Sequence, residues 1–358
     1  MKRDKLEKLA SEKNLPCVSI SMNTHRTYPE NQKDSIVLKE LLQEARERVI
    51  NGYGKRTVAE LIKNIDAVEN EIDVNYNLDS LHLFLSNSTK EIIKSTWPTM
   101  QNTVYISENF AVKPLIKVFN RTVEYLILKL TKSEVRLLLA INDGIVGEIK
   151  NDDFPFENNT DDSTDTETIT NGKQAENQAR EFFNKIDKAV VRVNNKTDMK
   201  CVVISTDDNY NRLMKVADKP SVYLGWKNIN YNYTPVHSIA TDAWQVVTIL
   251  QKKGRADDIK EMQEAVGKSN VITELSEIYR AAKEGRGDLL IVNDNFHQAV
   301  RVTGEFSLDL VNDVNLPGVI NDISSEIAWD VISKKGRAIF TTQEELKSLG
   351  DIALKVRY

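Results

Sequence analysis

The chain has 358 residues, of which 41% are hydrophobic and 28% charged, and a formal net charge of −5. This length exceeds the ~250 residues at which one hydrophobic core stops growing efficiently, so more than one domain is expected. The negative balance argues against a protein that coats DNA through many phosphate contacts, and no apolar run approaches the ~20 residues a bilayer span needs.

The opening MKRDKLEKLASEKNLPCVSISM has basic residues but no apolar stretch of signal-peptide length, so a cytoplasmic protein without membrane partners is expected. Within it, LPCVSISM reads as a buried strand that runs into the loop NTHRTYPENQKD. Strand ends of this kind commonly carry functional loops. Thr24, His25 and Arg26 offer a hydroxyl, an imidazole and a guanidinium that suit a phosphate, and the same three groups could instead tie down their own loop. Leu38, Leu41, Leu42, Ala45 and Val49 recur on one helical face, as do Val58, Leu61, Ile62, Ile65 and Val68. LHLFLS, EIIKST and NTVYIS follow as short strands, which makes residues 1–113 an α/β domain. His82 falls inside the first of these strands and reads as structural.

VKPLIKVFN is expected to cross into a second domain, 114–234. There VEYLILKLT, EVRLLLAIN and GIVGEIK are β-rich runs broken at Lys132-Ser133 and Asp143-Gly144, in the manner of a meander. The stretch 151–174 is acidic, rich in Asn and Thr and without periodicity; it cannot bury enough apolar surface to offset its chain entropy and is expected to be mobile. A helix then places Ala179, Phe182, Phe183, Ile186 and Val190 on one face, and CVVIST and SVYLGW alternate with a short helix near Asn211 to Val216. Cys17 and Cys201 lie in apolar strand-like runs and read as small buried hydrophobes.

The third domain, 235–358, is helix-rich at first. Val271, Leu275, Ile278, Tyr279 and Ala282 form a helical face ended by Gly285 and Gly287, and DLLIVND is a buried strand. Ile320, Ile323, Ile327 and Val331 mark another helix, followed by the strand RAIFTT, a short helix QEELKSLG and the strand IALKVRY. The tetrapeptide KKGR occurs at Lys252, Lys253, Gly254, Arg255 and again at Lys334, Lys335, Gly336, Arg337. Each copy reads as a helix end, with Gly in the left-handed position and cations at the negative end of the dipole; RNA contact by the same basic turns is the alternative.

Much catalytic vocabulary is missing: there is no Gly-rich loop ending in Gly-Lys-Ser/Thr, no H-E-x-x-H, no G-x-S-x-G and no paired C-x-x-C. No cofactor or metal is therefore expected. Glu124, Asp143, Asp187 and Asp207 invite a two-metal site, but nothing in their spacing makes them converge.

The ending GRAIFTTQEELKSLGDIALKVRY and the stretch ITELSEIYRAAKEGRGDLLIVND resemble the third domain of archaeo-eukaryotic class-I release factors and Pelota. PCVSISMNTHRTYPENQKDSIVLKELLQEARERV, FAVKPLIKVF and REFFNKIDKAV look like the bacterial archaeo-eukaryotic release factor family. The resemblance implies three α/β domains, the middle one RNase H-like and the last an α/β/α layer like kink-turn-binding ribosomal proteins. It also implies a ribosomal partner at the A site and its rRNA, with a translational GTPase of elongation-factor-Tu type.

Release factors of this superfamily carry Gly-Gly-Gln just before the long helix of the middle domain, and that glutamine helps water hydrolyse peptidyl-tRNA. The matching residues are Gly172, Lys173 and Gln174, with a lysine at the second position. A side chain there makes the tight loop costly by about 1 kcal/mol or more, so hydrolysis is expected to be weak or absent. No stop-codon-reading motif of the Asn-Ile-Lys-Ser kind is evident. The expected function is codon-independent action on the ribosome, in rescue or hibernation. The alternatives are hydrolysis through Gln174, and an enzyme that takes a phosphorylated small molecule at Thr24-His25-Arg26.

Overall fold

In the computed structural model, residues 3–99, 101–131, 134–156, 172–228, 236–312, 318–342 and 348–358 are described. The chain divides into two units, Met1–Arg121 with Arg255–Tyr358, and Thr122–Gly254.

The first segment runs α1 (Arg3–Ser11), β1 (Lys13–Asn23), α2 (Gln32–Tyr53), α3 (Ala59–Glu71), β2 (Ser80–Leu85), β3 (Lys90–Ser95), β4 (Thr103–Asn109) and α4 (Lys113–Arg121). Its strands form an antiparallel sheet in the order β3-β2-β1-β4. Successive side chains of a strand face opposite ways. Val18, Ile20 and Met22 therefore share one face, packed against the apolar stripes of α2 and α3 anticipated from the sequence. The alternate residues Cys17, Ser19 and Ser21, with His82 and Phe84 of β2, point to the other face, which is also buried. Cys17 and Phe84 there join Leu6 and Leu9 of α1 and Leu115 and Ile116 of α4.

The second unit opens with β5 (Glu124–Leu130), β6 (Val135–Ile141) and β7 (Gly144–Ile149), the expected meander. It continues with α5 (Gly172–Thr197), β8 (Cys201–Ile204), α6 (Asp207–Val216) and β9 (Tyr223–Lys227). The sheet order is β7-β6-β5-β8-β9, with β5, β8 and β9 parallel. Phe183, Ile186, Ala189 and Val190 of α5 cover Leu126, Leu128, Cys201 and Val203. Tyr125, Ile127, Val202 and Ile204 on the opposite face meet Ile239, Ala243 and Val247 from the first half of α7 (Val236–Val266).

Part of the acidic stretch departs from the expectation of mobility. Phe154 is fully buried, Phe156 N–H donates to the Val135 carbonyl at 3.1 Å, and Asn151 Oδ1 accepts from the Phe154 amide at 2.8 Å. Two aromatic side chains supply the apolar surface that the acidic composition of the stretch conceals. The rest of that expectation, 157–171, lies outside the described residues, as does the expected break at Lys132-Ser133.

The last segment comprises β10 (Val271–Ile272), α8 (Leu275–Lys283), β11 (Gly287–Asn293), β12 (Val300–Gly304), β13 (Ser307–Leu310), β14 (Val319–Ile320), α9 (Ile323–Ser333), β15 (Arg337–Thr341) and β16 (Ile352–Val356). Its main sheet has the order β10-β16-β11-β15, and β12 to β14 make a smaller one. The second half of α7, through Ile259 and Met262, covers Leu289, Ile291 and Ala353. On the other face α8 and α9 cover Leu290, Val292 and Leu354. The α/β class expected from the sequence thus holds in each segment. Most of the short helix expected at QEELKSLG, residues 343–347, lies outside the described residues.

The first and last segments share one hydrophobic cluster, in which Leu115 and Ile116 of α4 meet α9 and the main sheet. Polar contacts accompany it: Lys113 N–H donates to Ser325 Oγ at 3.0 Å, Asn109 Nδ2 to Glu326 Oε1 at 3.0 Å, and Asn120 Nδ2 to the Ala338 carbonyl at 2.5 Å. Among the described residues, no helix is long and apolar enough to cross a membrane.

Candidate functional site

The Gly172-Lys173-Gln174 segment does not form a loop ahead of the helix. α5 begins at Gly172, so the three residues are its first turn; their side chains lie outside the described set. Lys and Gln are good helix formers, and with a side chain in place of the second glycine the helix extends back over the segment.

Thr24, His25 and Arg26 are held by their own fold. Thr24 Oγ1 donates to the Leu78 carbonyl at 2.8 Å, and Arg26 grips Asp79 through Nε and Nη2 at 2.8 and 2.7 Å. The buried Asp34 carboxylate takes the His25 amide and His25 Nδ1, each at 2.8 Å. The loop-tying reading therefore describes these contacts, and none of the three residues lines the cavity described below.

The two KKGR copies differ from each other and from the expectation. Lys252, Lys253, Gly254 and Arg255 lie inside α7, so the first copy ends no helix. Flanking apolar residues carry the helix through, Val247 on one core and Ile259 on the other. Lys252 and Lys253 are exposed. The second copy does end α9, but Lys335, not the glycine, takes the left-handed conformation, at φ 68°. Gly336 is demanded by space, because a Cβ there would stand 2.6 Å from Val331 Cγ1 and 2.8 Å from the Gly287 carbonyl oxygen. Lys334 Nζ caps the carbonyls of Ala282 and Lys283 at the end of α8, at 3.0 and 2.8 Å, where a cation meets the negative end of the dipole. Arg337 pairs with Asp258 and Glu261 of α7.

The four carboxylates considered for metal chemistry have other occupations or none in common. Asp187 is fully buried and accepts from Tyr223 Oη at 2.7 Å and the Asp218 amide at 2.9 Å. Among the described residues, no three His, Cys, Asp or Glu side chains gather to hold a metal ion. Cys17 and Cys201 are free and buried, as expected, and burial pushes each thiol up to about 12.

A cavity of about 320 Å3 lies within the first unit, between the inner face of the β1/β2/β4 sheet, α4, and the turn that follows β11. One wall is polar and precisely paired across strands. Ser80 Oγ donates its single proton to the Trp97 carbonyl at 2.6 Å, so it must accept from His82 Nε2–H at 3.0 Å. Burial pushes His82 down to about 4, so the ring is neutral and Nδ1 accepts from Ser21 Oγ at 2.9 Å. The Ser21 hydroxyl then presents only lone pairs to the cavity.

The opposite wall is ionic. Lys113, Lys117 and Arg121 recur every fourth residue along α4 and face Asp294 and Asp322. Lys113 Nζ is 3.0 Å from Asp322 Oδ2 and also donates to the Phe296 carbonyl. Asp294 stands 2.9 Å from Lys117 Nζ and 2.7 Å from Arg121 Nη2. Burial raises the Asp294 carboxyl, but Arg121 and Lys117 outweigh it and hold the group below the usual carboxylate range. Burial lowers the Lys117 ammonium, with Lys113 and Arg121 adding to the effect and Asp294 opposing it. Burial and then Arg121 also lower the Arg255 guanidinium, against Asp294. Sequence reading missed this wall, although the Lys-x-x-x-Lys-x-x-x-Arg spacing of VKPLIKVFNR was its visible sign; Asp294 and Asp322 carried none.

Residues 124–286 match the family model described as bacterial archaeo-eukaryotic release factor family 3. This stretch runs from β5 through α8, and the match is to the same family that the sequence resembles. Solved structures similar to the chain include an archaeal translation termination factor, aRF1 (13% identity, TM-score 0.26, covering 100% of this chain and 99% of that one). Archaeoglobus fulgidus Pelota (13% identity, TM-score 0.39, 78% and 79% covered) and S. cerevisiae Dom34 (15% identity, TM-score 0.33, 78% and 73% covered) are two more. A search of curated proteins found no match.

Proposed function

We propose that the chain is a cytoplasmic translation factor that acts on the ribosome without reading a codon, in the rescue of stalled ribosomes or in hibernation. The observation that carries this reading is the family match across 124–286. The A site and its rRNA are the proposed docking place, and the resemblance supplies a translational GTPase of elongation-factor-Tu type as the proposed partner. Sedimentation of the endogenous protein through sucrose gradients tests it. Comigration with ribosomes or subunits is expected, enriched under translational stress; a protein that stays at the top of the gradient in both states removes the reading.

Peptidyl-tRNA hydrolysis is not part of the proposal. A lysine at the second position and a helical backbone from Gly172 onward both favour a factor without a working glutamine tip. Gln174→Ala is expected to leave any release from stalled ribosomes unchanged. Loss of release in that variant restores hydrolysis as the function.

A further inference from the structure

We propose that the cavity of the first unit binds a small organic phosphate that also carries a hydroxyl group. The volume of about 320 Å3 is that of a small-molecule site rather than of a void between packed side chains. Beside its two histidines, the lining holds three cationic side chains, Lys113, Lys117 and Arg121, and two carboxylates, Asp294 and Asp322. Ammonium and guanidinium groups gathered on one wall suit an anionic ligand.

The donors for that anion are in place. Among the described residues, Lys113 Nζ is committed to Phe296 O and Asp322, and Lys117 Nζ to Asp294, through its carbonyl at 3.3 Å and its carboxylate. Each ammonium has three N–H donors, so each keeps one for a ligand oxygen. Both also lie over the Phe340 ring, at 5.6 and 5.4 Å from its centroid, which fixes them side by side on the same wall. A phosphate, with several acceptor oxygens, can take a bond from both.

The far wall selects the other end of the ligand. Because the Ser21 proton is given to His82, Ser21 can only accept, and it suits a hydroxyl donor. Trp97, Pro98 and Phe296 line the space between and suit a compact carbon skeleton. The site is separate from Gly172–Gln174 and does not depend on the ribosomal reading.

Ribose 5-phosphate is a suitable probe, added to the full chain while thermal unfolding is followed. A ligand that binds only the folded state raises the melting temperature with concentration. The expected result is a rise with ribose 5-phosphate, a smaller one with inorganic phosphate, and none with ribose or with sodium chloride at matched ionic strength. Lys117→Gln and Ser21→Ala are each expected to weaken the apparent affinity at least tenfold. An equal rise in chloride, an equal rise with acetate, or full retention of the shift in both variants overturns the proposal. If either variant is unfolded by circular dichroism, hydrogen exchange on the unaltered protein decides: ribose 5-phosphate must slow exchange in 113–121, and unchanged exchange there rejects the site.

Discussion

Ser21 and His82 are direct partners in the antiparallel register of β1 and β2, and the serine hydroxyl donates to His82 Nδ1 across that pair at 2.9 Å. The ring is 2% exposed and neutral, so its environment sets how stability responds to acid.

An unfolded histidine titrates near ~6.5, while folded His82 is held down to about 4. As pH falls through that window the unfolded chain takes up a proton that the folded chain refuses, so the contribution to stability is present above it and lost within it. His82→Asn is expected to flatten the dependence between these limits by on the order of 3 kcal/mol. Urea unfolding of both proteins at several pH values measures the difference; parallel curves reject the assignment.

The two KKGR glycines should respond to alanine in opposite ways. Gly254 is in a helix interior with nothing within 4 Å of an added Cβ, so Gly254→Ala is expected to stabilise by about 0.5–1 kcal/mol. Gly336→Ala forces a Cβ against Val331 and the Gly287 backbone and should cost about 1–3 kcal/mol. Melting temperatures that move in the same direction contradict this account.

Phe154 anchors the start of the acidic stretch, with its ring 5.3 Å from that of Phe156 in a T-shaped pair. Phe154→Ala is expected to cost about 3–5 kcal/mol, read from denaturant unfolding. A loss within about 0.5 kcal/mol, the scale of most surface changes, shows that the ring is not part of the core.

Asp34 gathers the His25 amide and imidazole into one carboxylate. Asp34→Ala strands a backbone donor and is expected to cost about 1–3 kcal/mol. His25→Ala leaves the amide bond intact and should cost less. The order of the two, by chemical denaturation, checks whether this loop is structural.

Local order was legible in the chain. The stripe from Leu38 to Val49 predicted α2, and the apolar runs LHLFLS and CVVIST predicted β2 and β8, because periodicities of 3.6 and 2 are set by backbone geometry alone. Glycine was less legible: Gly254 and Gly336 sit in identical tetrapeptides, yet one lies in a helix held by flanking core residues and the other under Val331, a difference made by neighbours outside the motif.

What the sequence determined by itself is therefore the α/β class, the helices and strands whose apolar pattern is contiguous, and a family resemblance; Val271 and Ile320, expected on helices, lie instead in β10 and β14. The tertiary structure decided that α4 packs on α9, that Lys117 and Arg121 share Asp294 from 173 positions away in the case of the arginine, and that Ser21 meets His82. Hydrogen bonds and ion pairs of this kind depend on distance in space, and residues far apart in the chain carry no local pattern that announces their pairing.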